Sequence, residues 1–306
     1  MAYVLLIIGF VLLVKGADFF VDGSSSIARI LKVPPLIIGL TIVAMGTSAP
    51  EAAVSITAAL NKVGGLSVGN IIGSNIFNLL VVIGLSAILK PFDTDKAILK
   101  RDLPLNLFIS VLLLAFVYNG VFGRIEGLIL FIMMVIYISY LIYDSIKNKS
   151  ESEDIKMLSP LKSVIFILGG LVAIIFGGNI VVNSATDIAK AFGMSDTIIG
   201  LTIVAVGTSL PELVTSVVAA RKGQSELSLG NAVGSCVFNI LFILGLSSVI
   251  IPQSVDPQLI INSVILIAVS LFLLIVGKTR GKITRVEGVV CTLSYAAYTI
   301  YLIMSI

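Results

Sequence analysis

The stretch "GTSAPE" at residues 46–51 sets a glutamate directly after a proline inside an apolar run, and "GTSLPE" repeats the arrangement at 207–212. A carboxylate at the centre of a membrane-spanning helix costs roughly 2.5–3.5 kcal/mol, so Glu51 and Glu212 each need a compensating partner. The surroundings are apolar throughout: 58% of the 306 residues are hydrophobic and 12% are charged. That charged share is about half of what soluble domains carry. Apolar runs near 20 residues recur along the chain, as in an integral membrane protein. The first run, "YVLLIIGFVLLV" from residue 3, lacks a basic leader and a small-residue cleavage site, and is expected to stay as a first span.

Polar breaks divide the chain into ten expected helices, at 3–21, 36–60, 68–89, 104–119, 124–146, 162–182, 197–220, 229–250, 258–277 and 284–304. The second and seventh hold the Gly-Thr-Ser-x-Pro-Glu motifs, so a kinked or broken helix is expected there. Loops of odd number carry sixteen Lys and Arg and loops of even number carry three. By the positive-inside rule the odd loops, including 147–161, are cytoplasmic and both termini are extracellular.

A shift of 161 residues aligns 39–89 with 200–250 without a gap, with 26 identities in 51 positions. The same offset pairs "GVFGRIEG" (120–127) with "GKITRVEG" (281–288). The chain therefore reads as two five-helix repeats, 1–146 and 162–306, joined by the loop 147–161. Five is an odd number, so the second repeat is inverted, and inverted repeats place a site near the bilayer midplane where helices are discontinuous.

Around each glutamate the sequence gathers oxygen. Thr47 and Ser48 precede Glu51 by four and three residues, and Thr208 and Ser209 stand likewise before Glu212, which predicts one shared helix face in each repeat. Ser74 and Asn78 are four apart in the next helix, as are Ser235 and Asn239. The Pro and Gly of the motifs are expected to free backbone carbonyls near Ala44 and Ala205. Carboxylates, hydroxyls, amides and carbonyls suit Ca2+ or Na+ better than Zn2+ or Cu+, and Mg2+ sheds its water reluctantly. Two ionised glutamates match one divalent ion or two monovalent ones. "GNIIG" (69–73) and "GNAVG" (230–234) would bring the Ser/Asn helices close to the Glu helices. Asn70 and Asn231, within those patterns, read as packing or helix-start residues.

The other charges suggest less. Lys15, Asp18 and Asp22 are not duplicated and read as intrahelical or interfacial pairs. Glu126 and Glu287 lie at helix starts beside Arg124 and Arg285, where helix-terminus electrostatics accounts for them. Cys236 and Cys291 fall in apolar runs as packing groups, and the chain has no histidine. No nucleotide loop, nucleophile triad or cofactor motif is present, so an enzyme is not expected, and the basic loops read as topology signals rather than nucleic-acid patches. A channel is disfavoured by the blocked, charged midplane.

With these residues in view, the sequence resembles the cation/calcium antiporter superfamily, in its microbial sodium/calcium exchanger branch, over essentially its whole length. The paired "GTSxPE … GNxxGSxxxN" pattern carries the likeness. The resemblance implies ion ligands at Glu51, Thr47, Ser48, Ser74 and Asn78 and at Glu212, Thr208, Ser209, Ser235 and Asn239. It implies ten helices, with the second, third, seventh and eighth forming the core and the first and sixth sliding across it. It also implies transported Ca2+ and Na+, no cofactor, and a single chain in the lipid bilayer of the cell membrane exporting Ca2+. Several sodium/calcium exchangers carry an aspartate at the position of Asn239, and potassium-dependent relatives carry an acid there. Asparagine at both 78 and 239 leaves the core more symmetric and one charge less negative, which leaves the Na+ count, electrogenicity and a K+ requirement open. The proton/calcium branch typically has a "GN" pair where this chain has "GTS", which favours Na+ as the counter-ion with H+ as the alternative.

Overall fold

The computed structural model describes residues 2–94, 96–118, 120–147, 158–194, 203, 205–255 and 257–304. Nearly all of them are helical: α1 (Ala2–Leu31), α2 (Pro35–Thr47), α3 (Ala49–Leu60), α4 (Gly64–Leu89), α5 (Leu103–Val117), α6 (Arg124–Lys147), α7 (Pro160–Ala191), α8 (Ala205–Gly207), α9 (Leu210–Arg221), α10 (Ser225–Ile250), α11 (Gln258–Arg280) and α12 (Arg285–Met304). Seven of these are long and apolar enough to cross a membrane among the described residues, and α2 with α3 makes an eighth, bent by 50° at Ser48. Of the other two expected spans, α5 has 15 residues, and the seventh is interrupted at Thr208 and Ser209 with most of 197–204 outside the described residues.

The burial pattern is that of a protein solvated by lipid. The apolar windows of α4 and α10 are 83% and 78% buried, while those of the outer helices lie between 17% and 39%. The outer helices turn side chains such as Ile7, Ile125 and Leu161 outward. Association in such a solvent relies on close packing rather than on exclusion of water.

Glycine makes that packing possible. A Cβ on Gly170 of α7 would lie 2.7 Å from the Gly16 carbonyl and the Phe20 nitrogen of α1, and one on Gly177 would lie 2.9 Å from the Gly9 carbonyl. Helices α1 and α7 thus touch backbone to backbone in antiparallel sense. Between the repeats, a Cβ added to Gly230 or Gly234 of α10 would lie 2.7–3.1 Å from main-chain atoms of Leu36, Gly39 and Leu40 of α2. This is the close approach expected of the second small-residue pattern. The segment that Gly69 and Gly73 would meet by duplication, 197–202, lies outside the described residues.

Two short antiparallel pairs tie the loops. Strand β1 (Phe92–Asp93) pairs with β4 (Lys282–Ile283), and β2 (Val121–Phe122) pairs with β3 (Gln253–Ser254). The 161-residue shift turns one pair into the other with identical register: Phe92 faces Ile283, and Gln253 faces Phe122. The flanking bonds match too, Thr94 N–H to the Gly281 carbonyl and Val255 N–H to the Gly120 carbonyl, both at 2.9 Å.

Helix ends depart from the sequence expectation. The first span runs to Leu31 instead of 21, and the sixth to Ala191 instead of 182. Gly23 to Ser26 have the composition of a loop, but the serines are buried and Gly23 packs on the Ser163 carbonyl, so tertiary contact overrides propensity until the Pro34–Pro35 pair. Asp18 and Asp22 pair across elements with Lys222, Asp22 at 2.7 Å, and Lys15 reaches Asp18 at only 3.9 Å. Glu287 does not bond Arg285. It accepts from both the N–H, at 2.9 Å, and the hydroxyl of Thr284, and pairs with Arg280.

Asp102 was not singled out by its sequence context, yet it is fully buried. It accepts from Tyr137 Oη at 2.9 Å and Arg101 Nε at 2.8 Å, while Arg101 also holds Asp144 at 2.7 Å. Tyr137→Phe is expected to lower stability by about 1–3 kcal/mol by stripping a donor from a buried carboxylate. Thermal unfolding of the purified protein checks this, and an unchanged midpoint would show that the hydroxyl contributes nothing.

Candidate functional site

The helix break places the two glutamates. Pro50 cannot donate to the carbonyl four residues before it, and Ser48, at φ −81° and ψ 8°, belongs to neither α2 nor α3. Ser209 repeats this at φ −91° and ψ 7° before α9. Glu51 and Glu212 therefore sit in the first turn of α3 and α9, where the helix N-terminus favours negative charge, and both are fully buried.

The expected shared face within each motif is corrected by the structure. The helix breaks at Ser48, whose hydroxyl donates across the repeats to Glu212 Oε1 at 2.9 Å. Ser209 does the same for Glu51 Oε1, also at 2.9 Å. Each repeat thus supplies the acid and the other supplies its hydroxyl. Ser74 joins the cluster at 3.3 Å from Glu51 Oε1 and 2.9 Å from Ser209 Oγ, and Asn239 Nδ2 lies 3.3 Å from Ser74 Oγ.

What remains unbonded is as informative. Among the described residues, Glu51 Oε2, Glu212 Oε2, both amide ends of Asn78, Asn239 Oδ1, Ser235 Oγ and Thr208 Oγ1 are buried without a hydrogen-bond partner. Buried polar groups are rarely left so, and a concentration of orphaned oxygens around two carboxylates is an arrangement a cation completes. The described residues contain no group of three or more His, Cys, Asp or Glu able to hold a metal ion. Two carboxylates with neutral oxygens suit a hard cation that binds and leaves.

Thr47 already has acceptors for its single hydroxyl proton, the Val43 carbonyl at 3.1 Å and Asn231 Oδ1 at 3.0 Å. The Ala44 carbonyl is not freed by the break: it accepts the Ser48 N–H at 3.0 Å, so a ligand role there would use its second lone pair. In the second repeat the Ser209 N–H donates to the Val206 carbonyl at 3.1 Å. Asn231 links Thr47, Ser216 at 2.9 Å and the Glu212 carbonyl at 3.3 Å, while Asn70 bonds Ser55 at 3.0 Å, so both act as ties between helices. Sequence reasoning passed over Asn75, which is fully buried and bonded to both Asn239 and the Cys236 carbonyl. It also passed over the π-helical turns that begin at Asn78 and Asn239, wide turns of a kind common at functional sites.

A cavity of about 390 Å³ reaches the motifs beside α7. Ala49, Pro50, Thr208 and Pro211 form one wall, and Gly178, Asn179 and Val182 of α7 form another.

The structure thus has helices long and apolar enough to cross a membrane several times and a buried cluster in which Glu51 and Glu212 are each bonded by a serine from the other motif. A family model described as sodium/calcium exchanger protein matches residues 1–143 and 162–304. The chain belongs to that family, in the cation/calcium antiporter superfamily, and is a multi-pass membrane antiporter of cations and Ca2+ rather than an enzyme. The sodium/calcium exchanger MaX1 of Methanosarcina acetivorans is 35% identical, covering 98% of each chain. The inner membrane protein YrbG of Escherichia coli is 36% identical over 95% of this chain and 94% of its own. Among solved structures, the sodium-calcium exchanger NCX_Mj soaked with Na+ and Sr2+ matches with a TM-score of 0.87 at 33% identity, covering 100% of this chain and 98% of that one.

Proposed function

We propose that the chain exports Ca2+ from the cytoplasm in exchange for entering Na+, by alternating access to one site formed by Glu51, Glu212, Ser48, Ser209, Ser74, Ser235, Asn78, Asn239, Thr47 and Thr208, with the Ala44 and Ala205 carbonyls. The supporting observation is the crossed pair of buried carboxylates, each bonded by the other repeat's serine and each with one oxygen unpartnered. With the site empty, two carboxylates and several polar atoms are uncompensated in an apolar interior, which opposes its passage between the two faces. One Ca2+ or a set of Na+ ions supplies the missing charge, so the loaded site can change sides and the two fluxes become coupled.

In this reading the chain is a monomer with ten spans in two inverted halves and extracellular termini. Two features support the inversion: the sixteen-to-three charge count, and the loop pairs, which join odd loops only to odd loops (β1 with β4) and even only to even (β2 with β3). On that topology the 390 Å³ cavity approaches the motifs from the extracellular side. Helices α1 and α7, joined through glycine, form the natural moving pair.

The test is ⁴⁵Ca2+ uptake by purified protein in liposomes loaded with Na+ and diluted into Na+-free medium. Separate arms carry internal K+ or a pH gradient without Na+. Accumulation against a Ca2+ gradient only with internal Na+ is expected. Accumulation driven only by the pH gradient would replace Na+ by H+ in this scheme, and a K+ requirement would move the chain to potassium-dependent exchange.

A further inference from the structure

Asn78 and Asn239 hold the same place in the two repeats, but their amides are not equivalent. Asn239 Nδ2 donates to Asn75 Oδ1 at 3.1 Å and to Ser74 Oγ at 3.3 Å, leaving Asn239 Oδ1 buried and unpartnered. Among the described residues neither end of the Asn78 amide has a partner. The difference traces to one position at which the duplication fails: Asn75 corresponds to Cys236.

Asn75 Nδ2 donates to the Cys236 main-chain carbonyl at 3.1 Å. A carbonyl can only accept, so the nitrogen end of Asn75 must face it and the oxygen end must face Asn239. That oxygen can also only accept, so Asn239 must present its nitrogen to Asn75 and its own oxygen elsewhere. The orientation of both amides is therefore anchored on the main chain, which removes the usual freedom of an asparagine to flip. In the other repeat the Cys236 thiol makes a long contact of 3.7 Å with the Asn75 carbonyl, and it has no amide oxygen to offer Asn78.

We propose that Asn75 is a positioning residue for ion exchange: it locks the Asn239 amide with its oxygen free for a cation, whereas the Asn78 amide must turn to meet one. The inference rests on Asn239 being an ion ligand, as in the exchange reading above. A ligand already oriented does not lose freedom on binding, so the second repeat offers a pre-set oxygen and the first an adaptable one.

The Michaelis constant for Ca2+ in proteoliposomes tests this, with Asn75→Ala and Asn75→Cys each made in the native chain and on an Asn239→Asp background. Cysteine is the side chain that the other repeat already holds at this place. A carboxylate presents an oxygen in either orientation, so the second background does not need Asn75 for this purpose. In the native background either substitution is expected to raise KM about tenfold, the scale of losing a supporting partner of an ion ligand, with kcat little changed. On the Asn239→Asp background the rise should fall below about twofold, since the coupled partner is gone. Equal losses in the two backgrounds, or none in the native one, would overturn the proposal. In the reverse direction, Cys236→Asn would give Asn78 the anchor it lacks and lower KM; an unchanged or raised KM in the folded protein counts against the idea. Absence of Ca2+ flux in the unsubstituted protein would instead defeat the exchange reading, so the two failures are distinguishable.

Discussion

Glu51→Gln and Glu212→Gln are each expected to reduce Ca2+ flux in proteoliposomes by at least about 100-fold, a loss of about 2.7 kcal/mol in favourable ion interaction. Unit charges 4 Å apart interact by about 4 kcal/mol at an effective dielectric of 20, so deleting one of two carboxylates beside a cation is sufficient for that loss. Glutamine keeps the shape and keeps a carbonyl for the bonding serine, so Ser209 and Ser48 retain their acceptors at 51 and 212. Its nitrogen, however, replaces the unpartnered oxygen with a donor that repels the ion. The empty protein should be as stable as before or more so, because a buried charge without a counter-charge has been removed. The decisive comparison is therefore flux against thermal midpoint. Transport within tenfold of the native protein, from both folded variants, would remove the carboxylate pair from the mechanism. A large loss at one position only would show that the crossed bonds do not make the two acids equivalent.

The second large effect is expected from a single methyl group. Gly170→Ala places a carbon 2.7 Å from the Gly16 carbonyl and the Phe20 nitrogen, both main-chain atoms of α1 with no rotamer by which to withdraw. The helices must separate, at a cost of about 1–3 kcal/mol typical of overpacking. Gly169, one residue earlier on the same helix, has nothing within 4 Å of its Cβ position. Gly169→Ala should be neutral, or stabilising by up to about 1 kcal/mol from helix propensity. Thermal midpoints and Ca2+ flux of the two variants are the readout. Similar behaviour of the pair would mean that α1 and α7 are not held by backbone contact and need not move together.

Much of this was legible because the chain states its plan twice. The 161-residue offset marked Glu51 and Glu212 as a pair, and Pro50 and Pro211 marked the breaks that hold them. The partners of the glutamates were not legible. Spacings of three and four residues predict neighbours only along an unbroken helix, and the bend at Ser48 sends its hydroxyl to the other repeat. The long ends of α1 and α7 were hidden for a related reason, since Gly23 to Ser26 are helical through what they pack against. The π turns at Asn78 and Asn239 have no signature in composition. Asn75 did leave a signal, as the one polar position of "GNIIGSNIFN" that the second repeat does not keep, reading Cys there, but a mismatch in a duplication draws less notice than a match.

The small loop strands have a consequence out of proportion to their length. Strand β1 finds its partner in β4 and β2 finds its partner in β3, so among the described residues neither half contains a complete ladder. Each half supplies one edge to each of two identical ladders, and the halves are interlocked rather than merely stacked. Two copies of a single half, related by a two-fold axis, would make the same two ladders in the same register, since such an axis requires that if one residue meets another, the second meets the first. The molecule is in this sense a symmetric dimer carried on one chain, and the covalent link between its halves leaves each free to diverge where the other does not, as it has at Asn75 and Cys236.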